Sequence, residues 1–422
     1  METGAGGEKM ELTLDRVYQA AHVLKPLVKR TELVRAAGIE TDCELYLKTE
    51  NLQNTGSFKI RGACYRISTL TEEERKRGVV ACSAGNHAQG VALAASRSGT
   101  KSTIFLPAVA PISKVEATRA YGAEVRMIDG VYDDAYEAAL RYQKESGAVF
   151  IHPFNDIDVI AGQGTIGMEI CEQLMDAEAV VVPVGGGGLI SGVSFVVKKL
   201  NPGCKVYGVQ ASGAASMLKS RRDHALESLS EVHTFADGIA VKKPGSVTFD
   251  MVEEYVDELV TVTDDETAAA ILTLMERQKV VSEGAGAVSV AAVLFHKVPV
   301  KGKKTVCIIS GGNIDVNILS RVITRGLMKT LTLELLDKPG QLEEVSRIIA
   351  EKGANVTRVD HNSTAEDSDI IAVNQNYKDL EVDLQRRIDN IESEYPGYDE
   401  YRYSLSEIGH DPYDLAALLT VL

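Results

Sequence analysis

Lys59 stands in the stretch N-T-G-S-F-K-I-R-G-A, Asn54 to Ala63, among small and apolar neighbours. A lysine is ordinarily a solvated surface residue. One held in a partly desolvated pocket deprotonates near neutral pH and can form a Schiff base with a carbonyl. Further along, Val184–Leu189 reads V-G-G-G-G-L, directly after the apolar run AVVVPV and before LISGVSFVVKKL. Successive glycines let backbone N–H groups converge without Cβ obstruction, and a helix start behind them adds a favourable dipole, which suits a phosphate. Taken alone, the run reads equally well as a tight strand-to-helix turn.

Two more segments end apolar runs. In A-C-S-A-G-N-H-A-Q-G, Ala81 to Gly90, a strand end passes Ser83 and Asn86 into a helix start. Its N–H groups and side chains suit a carboxylate, or simply an N-cap. His87 in the same loop reads more readily as a packing residue than as a catalyst. In I-I-S-G-G-N, Ile308 to Asn313, the run stops at Ser310. Together the four segments supply an amine for a carbonyl, a phosphate cup, a carboxylate-sized anion site and a neutral hydroxyl. A dinucleotide site fits poorly: the third glycine of G-x-G-x-x-G is misplaced, and the strand KVYGVQ after the glycine run ends in Gln210, not in an acid for a ribose hydroxyl. No Walker sequence is present, so a single phosphate without a nucleotide is the better reading.

The elements that must position these segments follow from periodicity. Strands are expected at 44–48, 78–82, 101–107, 124–129, 148–152, 179–184, 205–210, 258–263 and 304–310. Helices are expected between them, for example at Lys114–Tyr121, Tyr132–Ser146 and Asp265–Gln278, and Thr71 with Glu74 forms a capping-box signal. Apolar strands alternating with helices indicate an α/β fold with parallel-rich open sheets covered by helices on both faces.

The chain has 422 residues, enough for two or three domains, with 45 Lys and Arg against 60 Asp and Glu. That net charge of -15 argues against a general nucleic-acid or anionic-membrane binder. The six cysteines show neither a C-x-x-C pair nor ligand spacing, which fits a reducing cytosol and suggests no zinc site. METGAGGEKMELTLD lacks the apolar core of a signal peptide, and no apolar run approaches bilayer length, so a soluble protein is expected. The charge is uneven: Thr330–Leu422 holds 8 basic against 20 acidic residues. The shift places a boundary near Lys329, dividing the chain into 1–329 and 330–422. In the second part, strands at 330–336, 355–363, 369–377 and 400–408 with helices at 341–353 and 378–393 give the order βαββαβ of a ferredoxin-like sandwich. An apolar tail follows Gly409.

GSFKIRGA, SAGNHAQG, PVGGGGLISG and ISGGN, in this order, resemble the pyridoxal-phosphate enzymes of the tryptophan-synthase-β fold type, and among them most nearly the threonine dehydratases. The resemblance covers about residues 10 to 325. LELLDKPGQLEEVSRIIAEKGANV resembles the amino-acid-sensing ACT domain. The resemblance implies a cytoplasmic enzyme that uses pyridoxal 5'-phosphate to turn L-threonine into 2-oxobutanoate and ammonia, with L-serine slower. It implies Lys59 as the residue that carries the cofactor and then acts as the base at Cα, with Phe58 packed against the ring. Gly185, Gly186, Gly187, Gly188 and Leu189 would bind the phosphate, Asn86 the ring hydroxyl oxygen, and Ser310 would face the pyridine nitrogen. Ser83, Ala84, Gly85, Asn86 and His87 would take the substrate carboxylate. Glu283 and Asp237 fall only in the vicinity.

Two departures from relatives narrow this. Serine racemases of the fold carry a second serine where this chain has Ala84. They also hold a divalent metal through acids where it has Gln210 and Ser216. Racemisation and a divalent metal are therefore not expected, while a monovalent ion held by carbonyls stays open. The ACT resemblance implies an amino-acid effector, with isoleucine the natural candidate, at Lys338, Pro339, Gly340, Gln341, Leu342 and Asn355, and a homotetramer with these domains paired. The other readings are a degradative L-serine dehydratase with an amino-acid sensor, and a catalytically silent sensor.

Overall fold

Every strand expected in the first part forms in the computed structural model, which describes residues 11–334, Arg347, 355–362 and 368–374. The strands are β1 (Leu33–Arg35), β2 (Glu44–Lys48), β3 (Val79–Cys82), β4 (Ser102–Pro107), β5 (Glu124–Ile128), β6 (Val149–Phe150), β7 (Ala179–Pro183), β8 (Lys205–Ala211), β9 (Glu258–Val262) and β10 (Lys304–Ile308). They make two sheets, ordered β1-β2-β10-β7-β8-β9 and β5-β4-β3-β6. All pairs are parallel except the short edge strand β1, which runs antiparallel to β2. The unbroken apolar character of β7, Ala-Val-Val-Val-Pro, follows from its place inside the larger sheet, where every residue is buried. β5, at an edge of the smaller sheet, is partly exposed.

Helices fill the connections as the periodicity predicts. Tyr132–Ser146 has the expected bounds. The capping box forms, with Thr71 Oγ1 accepting from the Glu74 N–H at 3.2 Å and Glu74 Oε2 from the Thr71 N–H at 2.8 Å. Three details differ. The run 148–152 yields only the two-residue β6, because His152 Nδ1 accepts from the N–H groups of Phe154 (3.2 Å) and Asn155 (2.8 Å) and turns the chain. The helix expected to 278 is α-helical over Asp264–Thr273 and widens to a π-turn at Leu274–Gln278, closed by Lys279 at φ +57°. A long helix, Ile157–Gln173, forms over a glycine-bearing stretch: a Cβ on Gly162 would lie 2.6 Å from the Gly62 Cα, so the absent side chains let this helix press against Lys59–Ser68.

The chain divides into two units, Met1–Ile318 and Leu319–Leu422. Beyond the helix Val316–Leu327 come β11 (Met328–Glu334), β12 (Asn355–Asn362) and β13 (Ser368–Asn374), an antiparallel sheet ordered β11-β13-β12. The helix expected at 378–393, the strand at 400–408, the tail and, apart from the helical Arg347, the helix expected at 341–353 lie outside the described residues, as do Lys338, Pro339, Gly340, Gln341 and Leu342. Asn355 opens β12. Among the described residues no helix is long and apolar enough to cross a membrane.

Candidate active site

The four segments singled out in the sequence all follow the carboxyl ends of parallel strands, the position where open α/β sheets bind ligands. β2 leads through residues 49–58 to Lys59, the first residue of the helix Lys59–Ser68. β10 leads to Ser310. The two loops are stitched together: the Phe58 N–H donates to the Ser310 carbonyl at 3.1 Å, Ser57 bridges to Gly311, and the Gly312 N–H donates to the Gly56 carbonyl at 2.9 Å. A Cβ on Gly90, in the helix Asn86–Arg97, would sit 3.1 Å from the Lys59 carbonyl carbon. The missing side chain eases that close approach, which holds Lys59 and the helix that follows the Ser83–His87 loop side by side.

The Lys59 amine donates to the Pro153 carbonyl at 2.9 Å and lies 5.2 Å from the centre of the Phe58 ring. Burial pulls it down to about 8, against the opposing pull of Glu283. Two imidazoles nearby stay neutral for the same reason: burial lowers His87 to about 3 and His152 to about 4, and Lys59 adds to both. His87 Nε2 bonds the Ile151 carbonyl at 2.8 Å, and its Nδ1 has no partner among the described residues.

The glycine run is a cradle. Gly187 takes φ +96°, a conformation that favours glycine, and the helix Gly188–Leu200 begins behind it. A Cβ on Gly186 would stand 2.3 Å from the Phe154 ring, and one on Gly188 2.9 Å from the Phe154 Cα. Among the described residues, the N–H groups of Gly185, Gly186 and Gly187 have no acceptor. Converging free donors at a helix N-terminus fit a phosphate dianion. Beside Lys59, a second set of free N–H groups belongs to Ala84, Asn86 and His87 at the start of Asn86–Arg97, while the Gly85 N–H donates to Ser83 Oγ at 3.2 Å. This set fits a carboxylate.

Asn86 Nδ2 donates to Glu283 Oε1 at 2.6 Å, and its Oδ1 accepts from Asn313 Nδ2 at 2.8 Å. Ser310 is buried and uncharged, its hydroxyl donating to the Ala285 carbonyl at 3.2 Å. Phe58 belongs to the apolar cluster that contains Val184 and Leu189, beside the cradle. Asp237 pairs with Lys114 of the helix Ile112–Ala120. Gln210 is spent on its own loop, with Oε1 accepting from the Leu218 N–H at 2.8 Å and Nε2 donating to the Ala214 carbonyl at 3.2 Å. Ser216 Oγ donates to the Val241 carbonyl at 2.7 Å. Among the described residues no group of three or more His, Cys, Asp or Glu could hold a metal.

Sequence reasoning passed over three contributors. His152, Pro153 and Phe154 lie against Lys59 and the glycine run, but His152 read as the end of the strand 148–152 and the two residues after it as its connection. Thr248 clamps the cradle by donating to the Gly186 carbonyl at 2.6 Å. A buried charge network braces the lysine helix: Arg61 bonds Glu50 and Glu169 through both guanidinium edges, and Lys48 reaches the same Glu169 at 2.6 Å. Arg61 and Glu50 are essentially inaccessible, a partnership invisible without the fold.

An amine at a helix start, a phosphate cradle and a carboxylate loop, each after the carboxyl end of a parallel strand, fit a pyridoxal-phosphate site. The model of the pyridoxal-phosphate dependent enzyme family matches residues 24–312, and the chain belongs to that family. It is 56% identical over 363 residues to a protein of Thermotoga maritima named L-threonine ammonia-lyase, a match covering 84% of this chain and 90% of that one. Its fold is similar to the processed threonine deaminase isoform 2 of Solanum lycopersicum (TM-score 0.68, 38% identity, 76% of this chain and 90% of that one). It is also similar to maize serine racemase (TM-score 0.70, 34% identity, 75% and 98%).

Proposed function

We propose that this chain is an L-threonine ammonia-lyase that uses pyridoxal 5'-phosphate to form 2-oxobutanoate and ammonia, with L-serine as a slower substrate. The observation that carries the reading is the desolvated Lys59 amine on the Pro153 carbonyl, one residue before the Phe154 that packs on Gly186 and Gly188, in a chain more than half identical to a relative of that name. When bound, pyridoxal phosphate draws electrons out of the bonds at the substrate's Cα.

The chain's residues divide the remaining work. The N–H groups of Gly185–Gly188 and Leu189 bind the phosphate at the positive end of a helix. Lys59 would hold the cofactor and would accept the Cα proton, a task suited to an amine near 8. The free N–H groups of Ala84, Asn86 and His87 fix the substrate carboxylate, so that the Cα–H bond faces the lysine. Asn86 would donate to the cofactor's ring hydroxyl oxygen, and Phe58 would pack beside the ring. Ser310, an uncharged hydroxyl, would be the group offered to the cofactor's ring nitrogen and would impose no charge there, which favours expulsion of the β-hydroxyl over transamination. The β-hydroxyl would leave as water with the proton that Lys59 took from Cα, and the enamine released hydrolyses to the 2-oxo acid and ammonia. Ala84 has no hydroxyl to return a proton to the opposite face of Cα, which favours elimination in a fold shared with a serine racemase.

The second part of the chain is proposed to be an ACT domain that senses an amino acid, isoleucine the first candidate, in a cytoplasmic homotetramer. Support comes from the strand order β11-β13-β12, the order that the first three strands of a βαββαβ sandwich take. The test is the rate of 2-oxobutanoate formation with and without L-isoleucine, beside light scattering. A rate that falls with isoleucine in a tetramer supports the reading; a rate indifferent to it, or a monomer, removes this part.

A further inference from the structure

Beside the site, hydrogen bonds run through three side chains whose donors and acceptors are fixed from one end. The Thr55 carbonyl can only accept, and Asn313 Nδ2 donates to it at 2.8 Å, so that nitrogen is identified. Its second hydrogen goes to Asn86 Oδ1, also at 2.8 Å. Asn86 must then turn its NH2 the other way, where the acceptor is Glu283 Oε1 at 2.6 Å. The run ends on a carboxylate because only an acceptor completes it. Among the described residues, one hydrogen of Asn86 Nδ2 stays uncommitted.

The proposed chemistry leaves Glu283 without a task, yet the fold makes room for it. It is 4% exposed. A Cβ on Gly311 would lie 2.3 Å from its Oε1 and one on Gly238 3.3 Å, so two glycines wall the slot. Its own N–H is tied to the Gly311 carbonyl at 3.1 Å. The charged groups facing it are Asp237 on the turn Asp237–Ile239, Lys114 paired with that aspartate from the helix Ile112–Ala120, and the Lys59 amine. Burial and then Asp237 raise the carboxyl to about 7, opposed by the Asn86 amide, Lys114 and the Asn313 backbone N–H. Glu283 therefore changes charge near neutral pH.

We propose that Glu283 is a positioning residue that locks the Asn86 amide in the orientation it offers to the cofactor's ring oxygen, so that the electronic state of the bound cofactor follows the ionisation of Glu283. This rests on the cofactor reading given above. Ionised, Glu283 is a strong acceptor for Asn86 and a negative charge one residue away from the ring oxygen; protonated, it is neither.

The test is the absorption spectrum of the holoenzyme as a function of pH, with cofactor affinity measured alongside, for the wild type, Glu283→Gln and Asn313→Ala. The wild-type spectrum is expected to titrate with a midpoint near 7. Glu283→Gln keeps an oxygen for Asn86 but no charge, so it should bind cofactor with a spectrum that no longer titrates there. Asn313→Ala frees the amide from its other end and should weaken cofactor binding on the order of tenfold with the midpoint retained. A Glu283→Gln spectrum that titrates like the wild type overturns the proposal, as does unchanged affinity in Asn313→Ala. A wild-type protein with no cofactor band overturns the cofactor reading itself, and this with it; a failure confined to Glu283 is recognised by a wild type that holds the cofactor.

Discussion

A lysine buried for chemistry should cost the cofactor-free protein stability. Lys59 has an ordinary value of 10.5 when the chain is unfolded and about 8 when folded. At about 1.4 kcal/mol per pH unit, the depression of about 2.5 corresponds to about 3 kcal/mol. Between these two values the unfolded chain binds more protons than the folded one, so stability rises with pH through that window. Below about 8 the penalty is present in full. Lys59→Met keeps the length of the side chain and removes the charge. In urea unfolding of the apoprotein at pH 7, the variant should be more stable than wild type by about 3 kcal/mol, less about 1 for the lost bond to the Pro153 carbonyl. That advantage should shrink as pH passes from about 8 toward 10.5. Equal stability at pH 7, or a difference that does not change with pH, would refute a desolvated Lys59.

The cradle can be tested by two glycines that look alike in sequence. Gly186→Ala places a methyl 2.3 Å from the Phe154 ring and should lose about 1–3 kcal/mol and much of its cofactor affinity, whereas Gly85→Ala meets nothing within 4 Å and should keep wild-type stability in the same melts. With Gln210 spent on the Ala214 carbonyl and the Leu218 N–H, a divalent-metal chelator should leave the initial rate unchanged; a rate lost to chelator and restored by magnesium contradicts this. Ala84→Ser restores a hydroxyl beside the carboxylate loop. It should raise D-serine formation from L-serine, seen by chiral chromatography, relative to pyruvate.

The fold was largely legible because the strands of parallel sheets are short, apolar and separated by helices: β7, β8 and β10 can be marked from hydropathy alone. The helix Ile157–Gln173 was not, since its glycines lower helix propensity and serve close contacts that only the fold reveals, Gly162 with Lys59–Ser68 and Gly164 and Gly167 with Gly188–Leu200. At the site, the glycine run, Lys59, Asn86 and Ser310 announce themselves through unusual neighbours. Glu283 does not: SEGAGA looks like a helix start, and its weight comes from burial against Asn86, Gly311 and Asp237, residues that are distant in sequence. The Pro153 carbonyl that holds the lysine amine and the Arg61–Glu50–Glu169 brace are likewise products of packing, to which local pattern is blind.

The central claim is that one lysine in this site carries the cofactor and drives elimination from threonine. The most direct measurement is borohydride reduction of the cofactor-loaded protein followed by peptide mass mapping, beside the rate of 2-oxobutanoate formation from L-threonine before and after reduction. The account predicts a phosphopyridoxyl group on Lys59 alone and a rate abolished in proportion to its appearance. Labelling at another lysine, or threonine turnover that survives full modification of Lys59, would contradict it.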